Sequence, residues 1–140
     1  MPPIVRPCSA EDLPEVYSVI NDAAEAYKGV IPADRWRTPY MSMEELGHEI
    51  SNGVRFSCLG STGKIQGVMG MQDRGGVTLI RHAYVRTTSQ NQGIGTQLLR
   101  LAERKTDKPI LVGTWQAATW AITFYKKNGY RLLGRQEAEL

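Results

Sequence analysis

The chain has 140 residues, 41% hydrophobic and 22% charged, with 17 basic side chains against 14 acidic ones and a net charge of +3. That length suits one domain with a substantial core, expected over residues 1–140, and the composition is that of a globular protein rather than a disordered or fibrous one. The weak, scattered positive charge mildly favours an anionic ligand but argues against nucleic acid, and no apolar run reaches the eighteen or so residues of a membrane span.

The opening MPPIVRPCSAED has no signal-peptide core, so the expected location is the cytoplasm. Cys8 and Cys58 form no metal-ligand spacing, and His48 and His82 join no zinc-like cluster, so no metal is expected.

Ile4–Arg6 reads as a short first strand. Apolar residues at Leu13, Val16, Tyr17, Ile20, Ala23, Ala24 and Tyr27 then repeat at helical spacing. Asp12 is placed to cap that helix, and Pro14 is tolerable in its first turn. Residues 29–41, rich in proline and aromatics, read as an irregular loop. Ser42 and Glu45 make a capping box for a second helix that ends near Gly53. VRFSCLG, KIQGVMGMQ and VTLIRHAYVR, separated by turns at Ser61–Gly63 and DRGG, read as an antiparallel meander.

Ile94, Leu98, Leu101 and Ala102 mark a third helix, stopped by Thr106–Pro109. Ile110–Trp115 is apolar enough for a strand covered on both faces. A fourth helix runs from about Ala118 to Asn128, with Gly129 suited to a left-handed cap, and a last strand begins at Tyr130. The helix between the strand ending at Arg86 and the strand at Ile110 makes those two strands parallel neighbours. The fold class is therefore α+β, a mixed, mostly antiparallel twisted sheet with helices on both faces.

Gln90-Asn91-Gln92-Gly93-Ile94-Gly95, followed by Thr96, places two glycines at the mouth of the third helix. Helix N-termini leave unpaired N–H groups and attract phosphate, and glycine lets a ligand approach the backbone. By itself the pattern is as compatible with a plain strand-to-helix turn. No lysine follows Gly95 as a P-loop requires, and Leu98 stands where a dinucleotide fingerprint needs glycine or alanine.

Q-x-x-G-x-G after a strand ending AYVR resembles the acyl-CoA-binding motif of the GNAT superfamily of N-acetyltransferases. Ala118–Gly134, ATWAITFYKKNGYRLLG, is similar to that family's second block, A-x-x-F-Y-x-K-x-G-[FY]. The resemblance covers nearly the whole chain. It implies that acetyl-CoA is the co-substrate, its pyrophosphate held by the segment Gln90, Asn91, Gln92, Gly93, Ile94, Gly95 and Thr96. It also implies that the parallel strands splay, so that the pantetheine arm pairs with backbone near Tyr84 and Val85.

Acetyl transfer requires a deprotonated amine, a donor for the oxyanion and an acid for the departing thiolate. By resemblance Tyr125 is that acid. His82, which titrates near neutrality, is the candidate base, with Glu25 or a water chain as alternatives. Strand alternation would place His82 and Tyr84 on one face, Arg81 and Ala83 on the other. The acceptor, a small-molecule or protein amine, is expected near Tyr27, Trp36, Arg37, Tyr40 and Trp115, aromatics that equally well pin a loop to the core.

Two departures from the family pattern stand out. Ala118 occupies a position where asparagine commonly contacts the pantetheine, leaving Gln116 or Thr119 to substitute. After Tyr130 too little chain remains for the family's final strand, and an uncovered sheet edge raises homodimerisation as a hypothesis. The competing reading is a non-catalytic CoA-binding regulatory module on the same fold.

Overall fold

The computed structural model describes residues 4–31, 33–36, 39–61, 63–113 and 119–131, apart from the side chains of residues 27 and 35. Its elements run β1 (Val5–Pro7), α1 (Leu13–Ala23), α2 (Met43–Ser51), β2 (Arg55–Leu59), β3 (Gly67–Asp73), β4 (Thr78–Val85), α3 (Ile94–Arg104), β5 (Ile110–Val112) and α4 (Thr119–Lys127). The five strands form one sheet in the order β1-β2-β3-β4-β5, antiparallel except for the parallel β4–β5 pair. The expected mixed sheet and meander are both present.

Helices cover the two faces because adjacent strand residues feed separate cores. Val68 packs with Val16, Val19, Ile20 and Leu46 under α1 and α2, whereas its neighbour Met69 packs with Ile94, Leu98, Leu99 and Tyr125 under α3 and α4. Gly67 lets α3 lie close to β3, since a Cβ there would sit 2.7 Å from Ile94 Cγ2.

Several local signals act as read. Ser42 caps α2, its hydroxyl accepting from the Glu45 amide at 3.1 Å. Gly129 follows α4 in the left-handed region at φ +96°, and the Tyr130 amide closes back on the Tyr125 carbonyl at 2.9 Å. The apolar stripe beyond Ala23 continues as a 3₁₀ turn, Ala24–Tyr27, rather than as α1.

Asp12 does not cap α1 with its side chain. Its carboxylate instead accepts from Arg6 Nη1 at 2.7 Å, Arg6 Nη2 at 2.9 Å and the Ser9 amide at 2.7 Å. The cap expected of Asp12 is thus diverted into a tie between β1 and the start of α1. β5 is a three-residue strand within the described residues. The expected strand to Trp115 leaves the described residues after Gly113, and the expected last strand from Tyr130 leaves them after Arg131.

Candidate active site

Two features of β4 build the site. Its parallel pairing with β5 runs only from Thr78↔Ile110 to Ile80↔Val112, so Arg81–Val85 continue unpaired on that edge among the described residues. On its other edge β4 carries a bulge: Gly70 pairs with His82, but Met71 pairs with Ile80, which leaves Arg81 as an extra residue.

That extra residue changes which face each side chain takes. Ile80, Ala83 and Val85 all pack under α3 and α4, while Tyr84 packs under α1 and α2. His82 stacks between Phe56, at 5.9 Å, and Tyr84, at 6.2 Å. His82 and Tyr84 therefore share a face, as alternation requires. Arg81 departs from the expected opposite face, since Arg81 Nη2 and His82 Nε2 both lie 3.3 Å from Glu49 Oε1 on α2.

His82 is 11% exposed, and neither ring nitrogen has an aligned hydrogen-bond partner. The 3.3 Å approach of Glu49 is an electrostatic contact rather than a well-formed hydrogen bond. Burial holds the imidazole below its ordinary pKa, against the opposing pull of Glu49. His82 is accordingly neutral at pH 7. Because the native state resists protonation of this ring, the unfolded chain binds more protons across the window below about pH 6.5, and His82 makes stability fall as pH drops through it.

Past the last β4–β5 pair a small cleft of about 50 Å³ opens, lined by residues including Arg81, His82, Tyr84, Gly113 and Tyr125. Tyr125 is buried, with edge contacts to Phe124 at 5.1 Å and Tyr130 at 5.7 Å. The structure thus brings together the two residues singled out for proton transfer.

The glycine turn also resolves into parts. Gln90, Asn91, Gln92 and Gly93 are exposed, and Ile94 is the buried anchor. Asn91 (φ 65°) and Gly93 (φ 77°) are both left-handed. Gly93, the N-cap residue, has no side chain with which to cap α3, so the first amides of α3 lack an intrahelical acceptor. Gly95 has a different use: a Cβ there would meet the Phe124 ring at 3.2 Å, which makes it a packing contact between α3 and α4. The Asp22 carboxylate on α1 accepts from the Thr87 amide at 2.8 Å, and Arg86 donates to the Ile65 carbonyl at 2.8 Å and pairs with Glu15. These ties hold the approach to the turn.

Trp36 packs on Tyr40 with ring centres 5.7 Å apart and lines neither this cleft nor the larger one beside α2. The Tyr27 side chain, Arg37, Trp115, Gln116 and Ala118 lie outside the described residues, and Glu25 is exposed in the turn after α1. Glu49 was not singled out in the sequence. Its only signal is a position on the inner side of an amphipathic helix.

The fold also assembles Cys8, Asp12 and Cys58, whose ligand atoms lie within 4.8 Å of one another. Sequence spacing hides this trio, because the β1–β2 register places Cys58 opposite Arg6. Asp12 is committed to Arg6, and a thiol hydrogen bond with Cys58, followed by burial, pushes the Cys8 pKa up. Among the described residues no helix is long and apolar enough to cross a membrane.

Residues 16–139 match the acetyltransferase (GNAT) domain, and the chain belongs to that family. Solved structures share the fold at low identity. The PaiA N-acetyltransferase from Thermoplasma acidophilum in complex with coenzyme A is 22% identical, with a TM-score of 0.77 over 95% of this chain and 92% of that one. A GNAT family acetyltransferase from Elizabethkingia anophelis with acetyl-CoA bound is 21% identical, with a TM-score of 0.69 over 94% and 78%. An acetyltransferase of the GNAT family from Staphylococcus aureus Mu50 is 20% identical, with a TM-score of 0.73 over 96% and 87%. No curated protein matches the sequence.

Proposed function

We propose that this chain transfers the acetyl group of acetyl-CoA to a primary amine by direct attack on the thioester. The observation that carries the reading is the cleft where β4–β5 pairing ends, with His82 and Tyr125 both on its walls. Relatives of the same fold with coenzyme A or acetyl-CoA bound support the choice of co-substrate.

In this reading the amine nitrogen attacks the carbonyl carbon, and β4 amides past Ile80 that have no β5 partner among the described residues serve the oxyanion. Neutral His82 takes the ammonium proton, and the imidazolium so formed is stabilised by Glu49 at 3.3 Å. The C–S bond breaks and the thiolate takes the Tyr125 phenolic proton. The amides from Gln92 to Thr96 hold the pyrophosphate, while Tyr84 and Val85 offer backbone to the pantetheine arm.

An acetyl-CoA-consumption screen across amines, paired with calorimetry of acetyl-CoA, tests the reading. Saturable binding with turnover supports it. Binding without turnover of any amine favours the non-catalytic module, and no binding ends both.

Two further outcomes are expected. Gly93→Ala costs about 1–2 kcal/mol in the left-handed region; the free turn sheds that strain by leaving the region, and regaining it on binding should weaken acetyl-CoA affinity about 5–30-fold. An unchanged Kd would reduce Gly93 to a turn former. The acid limb of kcat/KM should fall below pH 6.5, because burial lowers the His82 pKa, and His82→Gln should remove that limb. A limb that persists in the variant assigns the base elsewhere.

A further inference from the structure

A second cleft, of about 360 Å³, lies between α2 and the β3–β4 hairpin. Arg81 lines this cleft and the small one beside Tyr125 alike, so the two adjoin at the bulge. Its walls carry opposite charges. Glu45 and Glu49, four residues apart on α2 with His48 between them, form the acidic wall, and Arg74 and Arg81 on the hairpin form the basic one, Arg81 closing onto Glu49 at 3.3 Å.

The far end of the cleft is held by a short relay. Gln72 Nε2 donates to the Asn52 carbonyl at 2.8 Å, and Arg74 Nη1 donates to Gln72 Oε1 at 3.1 Å. At the near end Glu49 stands between this cleft and His82, which lines only the smaller cleft: Glu49 Oε1 lies 3.3 Å from His82 Nε2. A polycation entering here would meet two arginines, and a simple anion would meet two glutamates. A molecule carrying both signs meets a complementary wall on each side.

The spacing sets the separation of those signs. His82 pairs with Gly70, and Gln72 lies two residues further along β3, which is about 7 Å at ~3.3 Å per residue. We propose that this cleft receives the acetyl acceptor, and that the acceptor is an aliphatic amine bearing a carboxylate several bonds from the reacting nitrogen. The amine points to Glu49, on whose far side His82 lies, and the carboxylate lies against Arg74. The inference rests on the acetyl-transfer reading, and it moves the acceptor from the Trp36–Tyr40 loop to the α2–hairpin side.

The test compares kcat/KM for 6-aminohexanoate, hexylamine and 1,6-diaminohexane by coenzyme A thiol release, with acetyl-CoA binding followed separately by calorimetry. The expected result is at least a tenfold preference for 6-aminohexanoate over both other amines. Arg74→Ala should bring the preference to within threefold through a raised KM, with folding checked by circular dichroism. Intact acetyl-CoA binding with equal or better use of hexylamine or the diamine overturns the acceptor assignment and leaves acetyl transfer standing. Loss of acetyl-CoA binding itself would overturn the underlying reading instead.

Discussion

Replacing Tyr125 by phenylalanine is expected to lower kcat about 100-fold, the lower range for general acid catalysis, while acetyl-CoA binding stays within about twofold. The ring is retained, and with it the edge contacts to Phe124 and Tyr130 that fix it beside the cleft. The phenolic hydroxyl is removed and its transferable proton with it, and the departing thiolate, with a parent pKa of about 8.5, is the group that needs that proton. Steady-state kinetics and calorimetry on the same preparation separate the two effects. If kcat holds, the thiolate leaves unaided and Tyr125 is a packing residue at the cleft wall.

The largest loss of stability is expected from Asp12→Ala. Asp12 is fully buried and accepts from both terminal nitrogens of Arg6 and from the Ser9 amide, while Arg6 Nε reaches the Gly60 carbonyl at 3.0 Å. Arg6 is 27% exposed, so the guanidinium left behind recovers part of its hydration, and the loss is expected at about 1–3 kcal/mol. That is a large share of the about 5–15 kcal/mol that holds a typical domain together. Urea unfolding measures it, and a loss under about 1 kcal/mol would mean that the guanidinium is served equally well by water.

The same pair predicts the direction of acid sensitivity. Arg6 first, then the Ser9 amide, hold the Asp12 carboxyl far below the usual carboxylate range. Its contribution is therefore complete above the unfolded value of about 3.9 and is lost as pH falls below it. His82 acts in the same direction at higher pH, so stability should decline in two stages on acidification.

What was legible in the sequence was what neighbours along the chain decide. The Ser42–Glu45 box, the Gly129 cap and the alternating meander depend on residues within a few positions of each other, and each appears as read. Asp12 looked like a cap because its local setting was right. A guanidinium six residues earlier, brought back by the turn from β1 into α1, competed for the carboxylate and won it. The site was legible as single residues but not as a constellation. Tyr125 and His82 were named from motif and position, whereas Glu49 meets Arg81 across 32 residues of chain, and nothing local announces it. Nor does composition reveal the extra residue at Arg81, which arises from a mismatch in length between β3 and β4.

That mismatch gives one strand two jobs. Before Arg81, β4 follows a phase that sends Ile80 into the oily layer beneath α3. After it the phase is inverted, and the same parity that would have buried His82 in that layer delivers it to the polar seam under α2. Substitutions at this point alter a side chain, but loss or gain of a single residue resets the phase of everything downstream. The count of residues between Ile80 and His82 is therefore under tighter constraint than their identity.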